Sequence, residues 1–314
     1  MTRGRKWLSL LEKQSVMSIK SLPVWKWALL LIAGFVLALI MYALVQALGD
    51  LVSPAWAKWL VSVGLSAAML ALYALFVRWF EKHPAQDIPL PALAADTGRG
   101  FAIGMLFFVA VAGLMMLFGV YRITGIGTDQ PAEILSAFFM FLYVAVGEEI
   151  LFRGILFRWI DEKWGFVAAL VVSAVLFGAM HLGQPGSTWW SSLAIAVEAG
   201  LLLGAAYKGS GTLWLPVGIH WSWNFFQGNI FGFAVSGGDA GVSLLQAATS
   251  GPDILTGGVF GAEASILTVV LGTLLSVWFI LRATRGARGS HGFRGPRGFR
   301  GSRGSRASRF RRTV

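Results

Sequence analysis

The chain has 314 residues, of which 56% are hydrophobic and only 13% are charged, and its mean hydropathy is +0.68. Soluble domains carry about 25% charged residues, so this composition excludes an ordinary water-facing surface and indicates a polytopic membrane protein. The sequence contains no cysteine, which excludes disulfides, thiolate nucleophiles and cysteine-ligated metals. The formal net charge is +11, and eleven arginines lie in the last 33 residues, so the rest of the chain is close to neutral.

Eight apolar runs follow a basic N-terminal segment of residues 1–26. A helix needs about 20 predominantly apolar residues to cross a bilayer. The runs lie at about 27–48, 57–80, 101–120, 132–157, 166–183, 190–207, 213–235 and 262–281. We therefore expect an all-α polytopic membrane bundle of about eight transmembrane helices. The first run exceeds the apolar core of about 7–15 residues in a signal peptide, so we expect it to remain as an anchor.

The charge of the connecting segments alternates along the chain. Basic residues cluster before the first run and after the second, fourth, sixth and eighth runs, whereas the opposite connections contain a single basic residue, Arg122. Because cytoplasmic loops carry the excess of Lys and Arg, the pattern predicts that both termini are cytoplasmic. An even number of spans agrees with this orientation, and the cell membrane is the expected location.

The sequence divides into four parts. After residues 1–26, residues 27–100 hold two predicted transmembrane helices and a cytoplasmic linker, and residues 101–281 form the predicted core. Within the core, the glycine-rich segment 236–261 is expected to cap the bundle. Residues 282–314 place arginine between Gly and Ser and should be disordered. We expect this tail to contact anionic lipid, and no nucleic-acid partner is expected.

Three ionisable residues interrupt the otherwise apolar run from Ile134 to Phe157, namely Glu148, Glu149 and Arg153. Each charge near the centre of a membrane helix costs roughly 2.5–3.5 kcal/mol, so these residues need partners. Glu149 and Arg153 are four positions apart and can pair on one helix face. Glu148 is rotated by about 100°. We expect it to face a cavity, where a buried carboxylate suits the work of a general base.

Two histidines and an asparagine within later apolar runs could complete a site. His220 and Asn224 are four positions apart, and His181 lies as far beyond Gly165 as Glu148 lies before it, within one residue. A helical hairpin at Gly165 would therefore bring Glu148 and His181 to one level, predicted to lie in the cytoplasmic half of the membrane. Glu198, in the sixth run, has two open interpretations, a structural hydrogen bond or a supporting role at the site.

Three short patterns on separate predicted spans resemble a known family. They are Glu148-Glu149-x-x-x-Arg153, Phe177-x-x-x-His181 and His220-x-x-x-Asn224. Together they resemble the CPBP family, also called Abi, of intramembrane proteases of the CAAX-prenyl-endopeptidase and bacteriocin-processing type, in a bacterial form. The resemblance covers about residues 100–235.

The resemblance implies a peptide bond hydrolysed by activated water. By position, Glu148 and His181 would activate the water, and His220 and Asn224 would hold the oxyanion. Glu149 and Arg153 would support them. A zinc ion bound by Glu148, His181 and His220, with water as the fourth ligand, remains open. Water held by Glu148 and His181 would also suffice for hydrolysis without a metal ion.

The resemblance implies an intramembrane endopeptidase acting on a peptide or membrane-protein substrate. Two other classes stay open. A proton-coupled transporter could use Glu148, Glu198 and the histidines as a relay, although no convincing internal repeat is found. In a non-catalytic scaffold or immunity protein, the same polar residues would only hold the helices together.

Overall fold

The computed structural model describes residues 22–51, 54–239 and 241–289. The basic residues 1–21 and the arginine-rich residues beyond 289 lie outside these ranges, so the disorder and lipid contact expected of the tail stay predictions. The last helix continues to Gly289. Helical structure thus includes eight residues of the segment from Arg282 that was expected to be disordered.

Most of the described chain is helical, which confirms the predicted all-α class. The α-helices are α1 (Val24–Asp50), α2 (Ala55–Phe76), α3 (Leu93–Leu117), α4 (Pro131–Glu149), α5 (Arg158–Trp164), α6 (Phe166–Met180), α7 (Trp189–Ile195), α8 (Leu201–Ser210), α9 (Trp214–Phe225), the single turn α10 (Asp253–Thr256) and α11 (Ile266–Gly289). Wider π-helical segments continue four of them, at Val77–Glu81, Ile150–Phe157, Ala196–Gly200 and Phe226–Ile230.

Six helical stretches in the described residues are long and apolar enough to span a membrane. They are Ala57–Glu81, Leu90–Leu117, Pro131–Trp164, Phe166–Gly183, Trp189–Ser210 and Ile266–Thr284. A shorter apolar stretch, Val24–Val36, overlaps the first predicted span. The seventh corresponds to α9 and the π-helical segment after it. The chain is therefore a polytopic membrane helix bundle, while the count of eight spans and the position of the termini stay predictions.

A small antiparallel sheet, which the sequence did not predict, closes one end of the bundle. Strand β1 (Tyr121–Ile126) pairs with strand β2 (Leu245–Thr249), with an irregularity between Ile123 and Gly125. The Tyr121 hydroxyl donates to the Phe231 carbonyl at 2.7 Å. The sheet pairs backbone groups of two long connections. Strand β2 lies within residues 236–261, the segment that was expected to cap the bundle.

The opposite end is tied by buried charged groups. Arg158 donates two 2.6 Å hydrogen bonds to the Glu81 carboxylate, and the Trp159 indole donates to the same group at 3.0 Å. The Tyr73 hydroxyl donates to Asp87 at 2.6 Å. Because such bidentate pairs fix geometry as well as charge, α2, the linker after it and α5 are held together here.

Helices α3 and α9 cross where glycines meet. A Cβ atom at Gly218 would lie 2.9 Å from the Phe101 nitrogen and 3.1 Å from the Gly100 Cα atom. Small residues allow this close backbone approach, as they do in many membrane helix pairs. Helix α9 carries His220, so this crossing fixes one of the predicted site residues. Helices α5 and α6 reverse at Gly165, whose φ of 86° favours glycine, and this turn confirms the predicted hairpin.

Candidate active site

The predicted ion pair at the end of α4 is present. Nη1 of Arg153 donates to Oε1 of Glu149 at 2.8 Å, and both side chains are fully buried. The pair lies where α4 gives way to the π-helical segment Ile150–Phe157. Interruptions of this kind are frequent at functional sites because they redirect side chains.

Arg153 also joins α4 to two other elements. Its Nη2 atom donates to the carbonyls of Gly200 at 3.2 Å and Ala199 at 3.4 Å, which belong to a second π-helical segment. Its guanidinium lies 4.7 Å from the centre of the Phe177 ring on α6. A buried cation must replace the water it loses with such partners, and Arg153 does so by contacting three parts of the bundle.

His220 lies between the two glutamates of the first motif. Its Nδ1 atom is 3.0 Å from Oε1 of Glu149, and its Nε2 atom is 3.8 Å from Oε2 of Glu148. Glu149 therefore has both Arg153 and His220 as partners, whereas the sequence indicated a pair with Arg153 alone. This contact joins the first and third motifs directly, since it links α4 to α9.

His181 begins the short 3₁₀ turn that follows α6. Its Nδ1 atom is 2.7 Å from the Phe177 carbonyl oxygen. A carbonyl can only accept a hydrogen bond, so Nδ1 carries the hydrogen and Nε2 of the neutral ring keeps its lone pair. The Phe177 ring lies 4.9 Å from the His181 ring and 6.1 Å from the His220 ring, measured between centres. The second motif therefore sets the orientation of one histidine and the spacing to the other.

A cavity of about 20 Å³ lies between these elements, enough for one water molecule. Three of the four predicted catalytic residues line it, namely His181, His220 and Asn224. Glu148, the fourth, lies next to His220 with its side chain 22% exposed. Its Oε2 atom lies 3.8 Å from Nε2 of His220, which lines the cavity, and its predicted cavity-facing role stays a prediction.

Three residues near the site were missed by the sequence reasoning. Ser236 and Glu263 line the cavity. Tyr42 of α1 lies close enough to interact electrostatically with Glu148. Its ring fills the space beside Gly147, since a Cβ atom added there would lie 2.6 Å from the Tyr42 Cε2 atom. For Glu263 a signal existed, because it is an acidic residue inside the predicted span 262–281. Tyr42 and Ser236 carry no such signal.

Glu198 is fully buried, and neither of its carboxyl oxygens has a hydrogen-bond partner in the part of the chain that the structure describes. It packs closely against Gly272 of α11: a Cβ atom added at Gly272 would lie 2.5 Å from the Cβ atom of Glu198. The Glu263 carboxyl acts on it electrostatically. The supporting role expected for Glu198 stays a prediction, and its neighbour in the chain, Ala199, lines the cavity.

A zinc ion was expected at Glu148, His181 and His220. In the described ranges, no three His, Asp or Glu side chains converge as a metal-binding group. The Nδ1 atoms of His181 and His220 are engaged by Phe177 and Glu149, so Nε2 of each ring is the atom that a metal would use. The expectation of zinc at Glu148, His181 and His220 therefore stays a prediction without support from this geometry.

Comparison with known proteins gives a family match and a similar curated protein. Residues 130–226, which hold all three motifs, match the family model described as type II CAAX prenyl endopeptidase Rce1-like. The chain is 28% identical over 155 residues to "Putative membrane peptidase YdiL" of Bacillus subtilis (strain 168), covering 44% of this chain. It spans 61% of the length of that relative. No solved structure matches. The family match and the three motifs within residues 130–226 therefore agree on one resemblance, to the CPBP family of intramembrane proteases.

Proposed function

We propose that this protein is an intramembrane endopeptidase that hydrolyses a peptide bond with water activated by Glu148 and His181. The observation that carries the proposal is the water-sized cavity bounded by His181, His220 and Asn224, with Glu148 next to His220. The family match over residues 130–226 supports the same reaction class.

The reaction needs one proton acceptor, one water and one group to hold the oxyanion. Glu148 takes a proton from the water while Nε2 of His181 accepts a hydrogen bond from the second water hydrogen. The oxygen attacks the peptide carbonyl carbon. The Asn224 amide and the Nε2–H of a doubly protonated His220 donate hydrogen bonds to the carbonyl oxygen and stabilise its negative charge. The carbon–nitrogen bond then breaks, and Glu148 returns its proton to the departing amine.

Glu149 and Arg153 position these groups. Glu149 accepts a hydrogen bond from Nδ1 of His220, which leaves Nε2 directed toward Glu148. Arg153 holds Glu149 in place and anchors it to the carbonyls of residues 199–200. The partner that binds one ring nitrogen of a histidine fixes what the other nitrogen can do.

The proposed substrate is a peptide or a membrane protein that reaches the site from within or beside the bilayer. The proposed location is the cell membrane, with the arginine-rich tail on anionic lipid. His181 lies near the end of its span, Phe166–Gly183. A site in the cytoplasmic half of the membrane therefore requires the polar hairpin at Gly165 to project beyond the lipid.

Replacement of Glu148 by Gln tests the proposal. Glu148→Gln keeps the size of the side chain but removes the proton acceptor, so we expect turnover of a cleaved peptide to fall by about 100-fold or more. Glu133→Gln is the matched control, because Glu133 lies on the same helix with its side chain 40% exposed and should cleave normally. Elution on size exclusion should be unchanged for both. Equal turnover by Glu148→Gln and the wild type would reject the assignment.

A further inference from the structure

The wall of the cavity opposite the family motifs is built by two residues outside the matched segment. Glu263 belongs to the 3₁₀ turn Ala262–Ala264 before α11 and is 3% exposed. Ser236 belongs to the connection after α9. Both line the cavity together with His181. A buried carboxyl group at this position is costly unless it is paired, and the proposed reaction does not yet use it.

The carboxylate of Glu263 is held in one orientation. Its Oε2 atom accepts hydrogen bonds from the Ser236 backbone N–H at 2.7 Å and from the Ser236 hydroxyl at 3.2 Å. Ser236 has a φ of 49°, which places a non-glycine residue in the left-handed region. Such conformations persist only where the surroundings impose them. The Trp190 indole also donates to the Ala264 carbonyl at 2.7 Å, which fixes the turn itself.

The groups that face Glu263 come from every element packed around it. His181 and Gln227 approach from the segments after α6 and α9, and Glu198 lies behind it in the segment after α7. Burial raises the pKa of the Glu263 carboxyl, while the Ser236 N–H and the nearby His181 partly offset that effect. The Glu263 carboxylate and the His181 ring therefore interact favourably across the cavity that both line.

We propose that Glu263 is a positioning residue for the hydrolysis proposed above, on which this inference rests. Its negative charge strengthens His181 as the hydrogen-bond acceptor that orients the water, and its bonds to Ser236 hold the cavity wall at the right distance. No proton or bond is exchanged with Glu263 itself. The segment from Ser236 to Glu263 therefore helps to position the reacting groups, in addition to covering the bundle.

The Glu263→Gln variant separates charge from structure. A Gln side chain has the same length, and its carbonyl oxygen can still accept both Ser236 hydrogen bonds. We expect kcat to fall about tenfold or more with KM little changed, because orientation of the water is lost. Glu263→Asp, which keeps the charge, should recover part of the lost kcat.

Two controls make the outcome interpretable. Asp253→Asn removes a carboxylate charge at an exposed position of the connection that leads to α11, so it should retain wild-type activity. Unfolding temperature should be similar for Glu263→Gln and the wild type. A wild-type kcat in Glu263→Gln, or an Asp variant no more active than the Gln variant, overturns the positioning role. Wild-type protein that cleaves no peptide overturns the proposed function instead, and so does full activity of Glu148→Gln.

Discussion

At the scale of single residues, the site depends on Glu149 more than the sequence indicated. One oxygen of this buried carboxylate, Oε1, meets both Arg153 and His220. The contact with Arg153 follows from the four-residue spacing alone, so the sequence predicts it. The contact with His220 depends on how α4 and α9 pack, since 71 positions separate the two residues. No local pattern encodes that distance.

Arg153→Met tests the buried ion pair. The apolar side chain leaves Glu149 without its cation in a fully buried position, so we expect the free energy of unfolding to fall by about 3–5 kcal/mol. Thermal or denaturant unfolding in detergent measures this loss. Arg99→Met is the control, because the Arg99 side chain is 72% exposed and pairs with Asp96 on the same helix, and it should change stability little. Similar stability of the two variants would show that the pair does not hold the bundle together.

At the scale of elements, glycines decide which helices approach each other. Gly218 of α9 faces Phe101 and Gly100 of α3, whereas Gly113, also in α3, has no atom within 4 Å of where its Cβ would lie. The sequence shows both glycines equally well. It does not show which one lies in a crossing, because that depends on the neighbour each helix face acquires on folding.

Gly218→Ala should therefore weaken the crossing that carries His220. The added methyl group would lie 2.9 Å from the Phe101 nitrogen, and overpacking of this kind costs about 1–3 kcal/mol. Because α9 must shift, we also expect lower peptidase activity. Gly113→Ala, with open space, should stabilise the protein by about 0.5–1 kcal/mol. Unfolding temperatures of the two variants check the prediction. An unchanged unfolding temperature for Gly218→Ala would mean that the two helices can move apart without loss of stability.

At the scale of the whole molecule, the bundle has two dissimilar ends. One is held by buried charges around Arg158 and Glu81, and the other by a two-stranded sheet and a folded cap. Hydropathy and charge predicted the membrane bundle and its hairpin at Gly165. The glycine content of residues 236–261 was the reason to expect a cap. They did not predict β1 and β2, because these strands are short, pair across more than 100 residues and lie outside the apolar runs.

The Tyr121 hydroxyl predicts a pH effect at the sheet end. Its hydrogen bond to the Phe231 carbonyl requires the neutral phenol, and burial raises the pKa of Tyr121 to about 12. A raised pKa means that the stabilisation is complete below the ordinary value of 10.0 and is lost as pH rises through about 12. Tyr121→Phe should cost about 1 kcal/mol at neutral pH. The stability of the two proteins should then converge between pH 10 and 12, and a constant difference across that range would contradict the assignment.

The cavity wall formed by Ser236 and Glu263 has a practical consequence for dissecting the protein. An excised fragment limited to residues 130–226 would contain every family motif, yet it would lack that wall and also Gly100, against which α9 packs. Its histidines would face solvent or detergent on one side. The stretch that sequence comparison recognises is therefore not a separable folding unit, and a minimal working version must include α3 and extend through the turn before α11.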